Sequence, residues 1–192
     1  MSRLENTLKA IDLLHSNDPE IEEVNGESIP AELLYAQRMT EWMNKLEDNP
    51  SDEVQIAVRS QHLCRWEIPR KDYPMDRPGY LKWRTDLGKL HAQKAAEAMA
   101  ANGYEEETVE ATKKIIRKQN LKDSPEAQLM EDCACLVFIE NGFLEFAAKY
   151  PEEKVIDIVQ KTWNKMSDKA HDAALKLSLP DEALTIIKKA LS

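Results

Sequence analysis

Residues 79–103, GYLKWRTDLGKLHAQKAAEAMAANG, decide the fold. After Gly79 the residues Leu87, Leu90, His91, Ala95, Ala98 and Met99 recur at helical spacing, and Asn102-Gly103 supplies a stop signal. One long helix is predicted over 80–102. Working outward, the same periodicity predicts helices over 2–16, 30–46, 51–66, 105–119, 125–141 or on to 149, 151–165, 167–177 and 180–191. Pro30 and Pro50-Ser51-Asp52-Glu53 mark two of the starts, since proline is tolerated in a first turn and serine caps free backbone amides. Residues 16–30 read as a polar connector with a turn at Asn25-Gly26, and no segment alternates with period two. Pro69, Pro74 and Pro78 break regular helix over the intervening stretch. The expected architecture is all-α, a single domain of eight or nine helices over 1–192. Within it, 1–29 form an N-terminal helix and connector, 30–149 the core, and 150–192 the C-terminal helices.

A chain of 192 residues with net charge −9 lacks the broad cationic surface that nonspecific nucleic-acid binding requires. Cys64, Cys133 and Cys135 are an odd count without zinc spacing, which suits a reducing compartment. The first residues, MSRLENTLK, have no apolar signal core, and no run reaches the roughly 18 apolar residues of a membrane span. A soluble, cytoplasmic protein is expected.

Against this acidic background, residues 59–84 (RSQHLCRWEIPRKDYPMDRPGYLKWR) hold seven cations and three acids, a local net of +4. Arginine offers a rigid donor fork and stacks on aromatic rings, so the stretch fits the mouth of a site for a small phosphorylated or anionic ligand. Arg59, Arg65, Arg70, Arg77 and Arg84 would neutralise phosphate charge, and Trp66 and Trp83 would stack on a ring. The same composition also describes a proline-stiffened loop whose charges pair locally with Glu67, Asp72 and Asp76.

Polar residues on apolar helix faces supply the second signal. His62 shares a predicted face with Val54, Val58 and Trp66, and His91 with Leu87, Ala95 and Ala98. Glu131 and Asp132 lie in the most apolar helix, PEAQLMEDCACLVFIE. Buried carboxylates require a compensating cation. Two solutions stay open: a divalent metal (Mn, Fe, Ni, Zn or Mg) held by His62, His91 and Asp132, or an arginine such as Arg59, Arg65 or Arg84. His15 reads as a cap on helix-end carbonyls, and His171 as structural. Cys64 and His62 point to different faces of the predicted helix, against a cysteine nucleophile. No Glu-x-x-His, His-Glu-x-x-His, Walker, Rossmann or Gly-x-Ser-x-Gly pattern occurs.

The segments RSQHLCRWEIPR, YPMDRPGYLKWR, LGKLHA, EAQLMEDCACLVFIE and KTWNKMS resemble the domain-of-unknown-function 4202 family, over about residues 4–189. That resemblance implies that these segments form one site, without naming an activity. The order of histidine-bearing helices and a closing acid also resembles the HD superfamily of helical metal-dependent phosphohydrolases. This second resemblance implies His62 at the paired His-Asp motif, His91 as an additional histidine and Asp132 as the closing aspartate. Two departures weigh on it: the helix from Ala31 to Leu46 lacks a leading histidine, and the pair reads Gln61-His62-Leu63. Under it the chain is a metal-dependent phosphohydrolase of an HD-like fold, with Glu131 orienting the attacking water or taking its proton. The alternative is a noncatalytic ligand- or partner-binding domain without metal.

Overall fold

A computed structural model describes residues 2–192. The chain is mostly helical, with ten α-helices and one small hairpin among the described residues. It divides into two compact units, one ending at Met130 and the other Glu131–Ser192.

In the first unit, α1 (Arg3–His15) is opened by a capping box, Ser2 and Glu5 satisfying each other's backbone amides. The segment read as a connector is a β-hairpin, β1 (Ile21–Val24) against β2 (Glu27–Pro30), with Val24 opposite Glu27. Its two-residue turn requires positive φ at both positions, and Asn25 (φ 54°) and Gly26 (φ 84°) supply it. The turn signal was therefore legible, but the flanking acids hid the strands.

Helices α2 (Ala31–Leu46), α3 (Asp52–Arg59), α4 (Arg77–Ala101) and α5 (Glu106–Ile116) follow. α3 packs against α2, α5 and α1, and α4 against α5 and α1. The core they enclose includes Ile11, Met39, Met43, Ile56, Val58, Leu63, Leu87 and Met99, all buried. Dense packing of this kind holds surrounding polar groups in fixed geometry.

α3 is shorter than the helix predicted over 51–66. It stops at Arg59, and His62 and Cys64 adopt left-handed backbone (φ 65° and 56°). His62 therefore lies on a loop, not on a helical face with Val54 and Val58. A 3-10 turn at Arg65–Glu67 and another at Arg70–Asp72 lead through the proline stretch. α4 begins at Arg77, before Gly79, because Asp76 Oδ1 accepts the Gly79 amide at 2.7 Å and Pro78 needs no partner in a first turn.

α6 (Pro125–Val137) leads into the second unit, where a π-helical turn at Phe138–Gly142 separates it from α7 (Phe143–Lys149). This interruption is why ten helices stand where eight or nine were expected. α8 (Glu152–Trp163), α9 (Asp168–Ala174) and α10 (Asp181–Leu191) complete the unit. Its core is Phe143, Val155, Val159, Ala183 and Ala190, with α8 packed on α7 and α10. No helix among the described residues is long and apolar enough to cross a membrane.

Candidate functional site

Three of the four histidines of the chain converge in the first unit. His62 leaves the loop after α3 so that its Nδ1 lies 3.0 Å from Glu32 Oε2, on the first turn of α2, while its ring stacks on Tyr35 at 4.5 Å between centroids. Glu32 is itself fixed. Its backbone amide donates to Asp18 Oδ2 at 2.8 Å, so a buried aspartate before the hairpin caps the helix that carries the site. The His62 and His91 rings stand 6.2 Å apart, and His91 projects from the middle of α4. His15, at the end of α1, sets Nε2 against the Arg59 carbonyl at 2.9 Å. It meets a helix-end carbonyl as expected, but that of α3 and not of its own helix.

Three buried polar atoms around this cluster have no hydrogen-bond partner: His15 Nδ1, His91 Nε2 and Ser60 Oγ. Buried polar groups are seldom left unsatisfied, and such atoms mark places where a ligand or water belongs.

Arg65 forms the cationic side of the site. Its Nη1 lies 3.3 Å from His62 Nδ1 and 3.8 Å from Glu32 Oε1, and its guanidinium faces the Trp83 ring at 5.3 Å. Lys118 and Arg84 also act on His62 electrostatically. Burial, and then the charges of Arg65, Lys118 and Arg84, hold the His62 imidazole well below its ordinary range, so it is neutral at pH 7. Burial, with His62 and Arg65 adding to it, does the same to His91. Burial also lowers His15. Glu32 moves the other way. Burial, reinforced by Asp18, pushes its carboxyl up to about 7 although Arg65 opposes the shift. A half-ionised carboxyl therefore touches a neutral imidazole, an arrangement able to give or accept a proton near pH 7.

The other expected ligand-binding residues have varied placements. Arg59 donates from Nε and Nη2 to the two oxygens of Asp12 at 2.6 and 2.8 Å, and from Nη1 to Thr40 Oγ1 at 3.0 Å. It ties α3 to α1 and α2. Arg70 donates to the carbonyls of Tyr73 and Asp76, stiffening the proline loop. Trp83 is buried and its Nε1 donates to the Ile68 carbonyl at 2.8 Å, so the indole anchors the loop instead of offering a free face. Trp66 is half-buried in the 3-10 turn, and Arg77 is exposed at the start of α4. Arg84 bonds Tyr80 Oη at 3.1 Å and makes no salt bridge among the described residues.

Glu131 and Asp132, both buried, belong to the second unit. Asp132 accepts from the Ser167 amide at 2.9 Å and from its hydroxyl at 2.5 Å, bracing the start of α9. Lys165 lies 3.6 Å from Glu131. His171 is structural as read, stacked on Trp163 and 2.9 Å from its carbonyl.

A metal centre needs several deprotonated donors around one point. Among the described residues no three His, Cys, Asp or Glu side chains are so arranged. The position beside His62 and Glu32 already holds the Arg65 guanidinium.

The sequence reading missed Glu32, Tyr35, Asp18 and Lys118. Glu32 looked like an ordinary first-turn acid, and only its pairing with a loop histidine 30 residues away distinguishes it. No curated protein and no solved structure matches the chain. A family model does: that of a domain of unknown function, DUF4202, matches residues 5–187, and the chain belongs to that family.

Proposed function

We propose that the first unit binds a small phosphorylated molecule beside Arg65, with Arg84 and Lys118 contributing charge and Glu32–His62 exchanging a proton with the ligand. The observation that carries this reading is the placement of the Arg65 guanidinium beside His62 and Glu32. Three cations act on a neutral imidazole, and the carboxyl that touches it is only half ionised near pH 7. Such a place stabilises an incoming anion, and arginine suits phosphate because its fork donates two parallel hydrogen bonds. The unpartnered His91 Nε2 and Ser60 Oγ provide further polar contacts.

Isothermal titration of the full chain with inorganic phosphate and a set of phosphomonoesters and nucleoside monophosphates tests this. Saturable binding should weaken about tenfold or more in Arg65→Ala, since a charged hydrogen bond contributes roughly 1.5–3 kcal/mol. Absence of binding by every phosphate compound would overturn the proposal.

The second reading is phosphoester hydrolysis, the activity that the HD-like pattern implied. One observation favours it: a carboxyl raised to about 7 beside a neutral imidazole is suited to take a proton from water. In this reading Glu32 would act as the base and Arg65 would stabilise the phosphoryl oxygens. Phosphate release from the same compounds, with Mn, Fe, Ni, Zn or Mg added or with chelator, measures this directly. Binding without release under any condition would leave a ligand-binding domain.

A further inference from the structure

The second unit contains an apolar cavity of about 460 Å³ that the phosphate reading does not use. Phe138, Val159, Trp163, Leu179 and Ile187 are among its lining residues, and all the lining belongs to this unit. A volume in this range accommodates a small organic ligand, and burying apolar ligand surface there removes water from hydrocarbon walls.

Two features show what kind of molecule it fits. Phe138 and Ile139, two of the lining residues, lie on the π-helical turn at Phe138–Gly142. A π turn inside an otherwise α-helical run is rare and frequently marks a functional site. The cavity also carries Lys188 among its lining residues. Lys188 makes no salt bridge among the described residues, whereas the adjacent Lys189 pairs with Glu152. An exposed lysine with no salt bridge among the described residues, beside a mostly apolar lining that also includes Thr162 and Ser192, complements a molecule with one negative head and an apolar tail.

We propose that this cavity binds a straight-chain monocarboxylate, its tail among Phe138, Trp163 and Ile187 and its carboxylate at Lys188. The pairing is electrostatic at the head and hydrophobic along the tail. Each buried methylene then tightens binding about fourfold, the equivalent of about 0.8 kcal/mol.

Titrating the intact protein with hexanoate, octanoate, decanoate and decanol, each below its micelle concentration, tests the assignment. Saturable binding should strengthen about sixteenfold for each two-carbon step. Lys188→Ala should reduce decanoate affinity to that of decanol and leave decanol unchanged. Ala174→Phe, which places a ring into the cavity, should abolish binding of both, with circular dichroism confirming the fold. If that variant does not fold, the chain-length series and Lys188→Ala still decide. No saturable decanoate binding, an affinity independent of chain length, or equal affinities for decanol and decanoate would each overturn the proposal.

Discussion

Replacing Glu32 by Gln removes the ionisable carboxyl while keeping its size and a hydrogen bond to His62. In the native protein the Glu32 carboxyl is raised from 4.5 to about 7, with burial as the largest cause, and only 17% of its side chain is exposed. The folded protein therefore holds a proton on Glu32 over a pH range in which the unfolded chain has released it. The sign follows from linkage. Where the folded state binds more protons, stability falls as pH rises, so the contribution of Glu32 is complete below about pH 4.5 and is lost as pH passes through about 7. Integrating from about pH 5.5 to about pH 7.5 gives a loss of about 2 kcal/mol, at ~1.4 kcal/mol per unit of pH below the folded value. Glutamine cannot ionise. The stability of Glu32→Gln relative to the parent should therefore rise by about 2 kcal/mol over that interval, or about 4–8 °C in melting temperature for a chain of this size. The lowered values of His62, His91 and His15 act in the opposite direction, losing stability on acidification; those of His62 and His91 are common to both proteins, whereas His15, which the Glu32 charge raises, is lowered further in the variant. Urea unfolding followed by tryptophan fluorescence suits the measurement, because Trp42, Trp66 and Trp83 all lie in the first unit. Parallel pH profiles for the two proteins would refute the reasoning, since they would mean that Glu32 ionises in the fold as it does in water.

Three other perturbations have defined outcomes. Asp132→Ala removes the acceptor of both the Ser167 amide and hydroxyl, and should cost about 2–4 kcal/mol, appearing as faster hydrogen exchange at the start of α9. Gly79→Ala would place a Cβ 2.2 Å from the Pro74 carbonyl oxygen, so the proline loop must shift; a melting temperature within 1 °C of the parent, against an expected cost of about 1–3 kcal/mol, would contradict that packing. Cys64 is buried, and its thiol is pushed up to about 11 by burial and then by Glu67, so it should resist alkylation at pH 7 in the native protein and react once the chain is unfolded. Native-state labelling as fast as that of free cysteine would show the thiol to be accessible and activated.

Much of the helical layout was legible because it depends on local chemistry. Serine, aspartate and proline marked helix starts, and three- and four-residue spacing marked buried faces, from α1 through α10. Local patterns were less informative where distant contacts set the backbone. The His62 segment has the composition of a continuing helix, yet the chain leaves α3 at Arg59 and places His62 at positive φ against Glu32 and Tyr35. Such a conformation carries a local cost that only tertiary contacts offset. The hairpin was obscured for a related reason: exposed strands rich in glutamate bury no alternating face, so Asn25-Gly26 was the only local sign of it.

The candidate site divides along the same line. Sequence alone determined that polar and cationic groups sit where hydrocarbon or acid would be expected: His91 among alanines and leucines, Glu131 and Asp132 in an apolar helix, and arginines clustered over 59–84. Which of these groups meet was decided by tertiary structure. Arg59 is held by Asp12, Asp132 by Ser167, and Arg65 is left beside His62 and Glu32. Burial and charge pairing act through space between elements far apart along the chain, and helical periodicity carries no information about which partner will arrive.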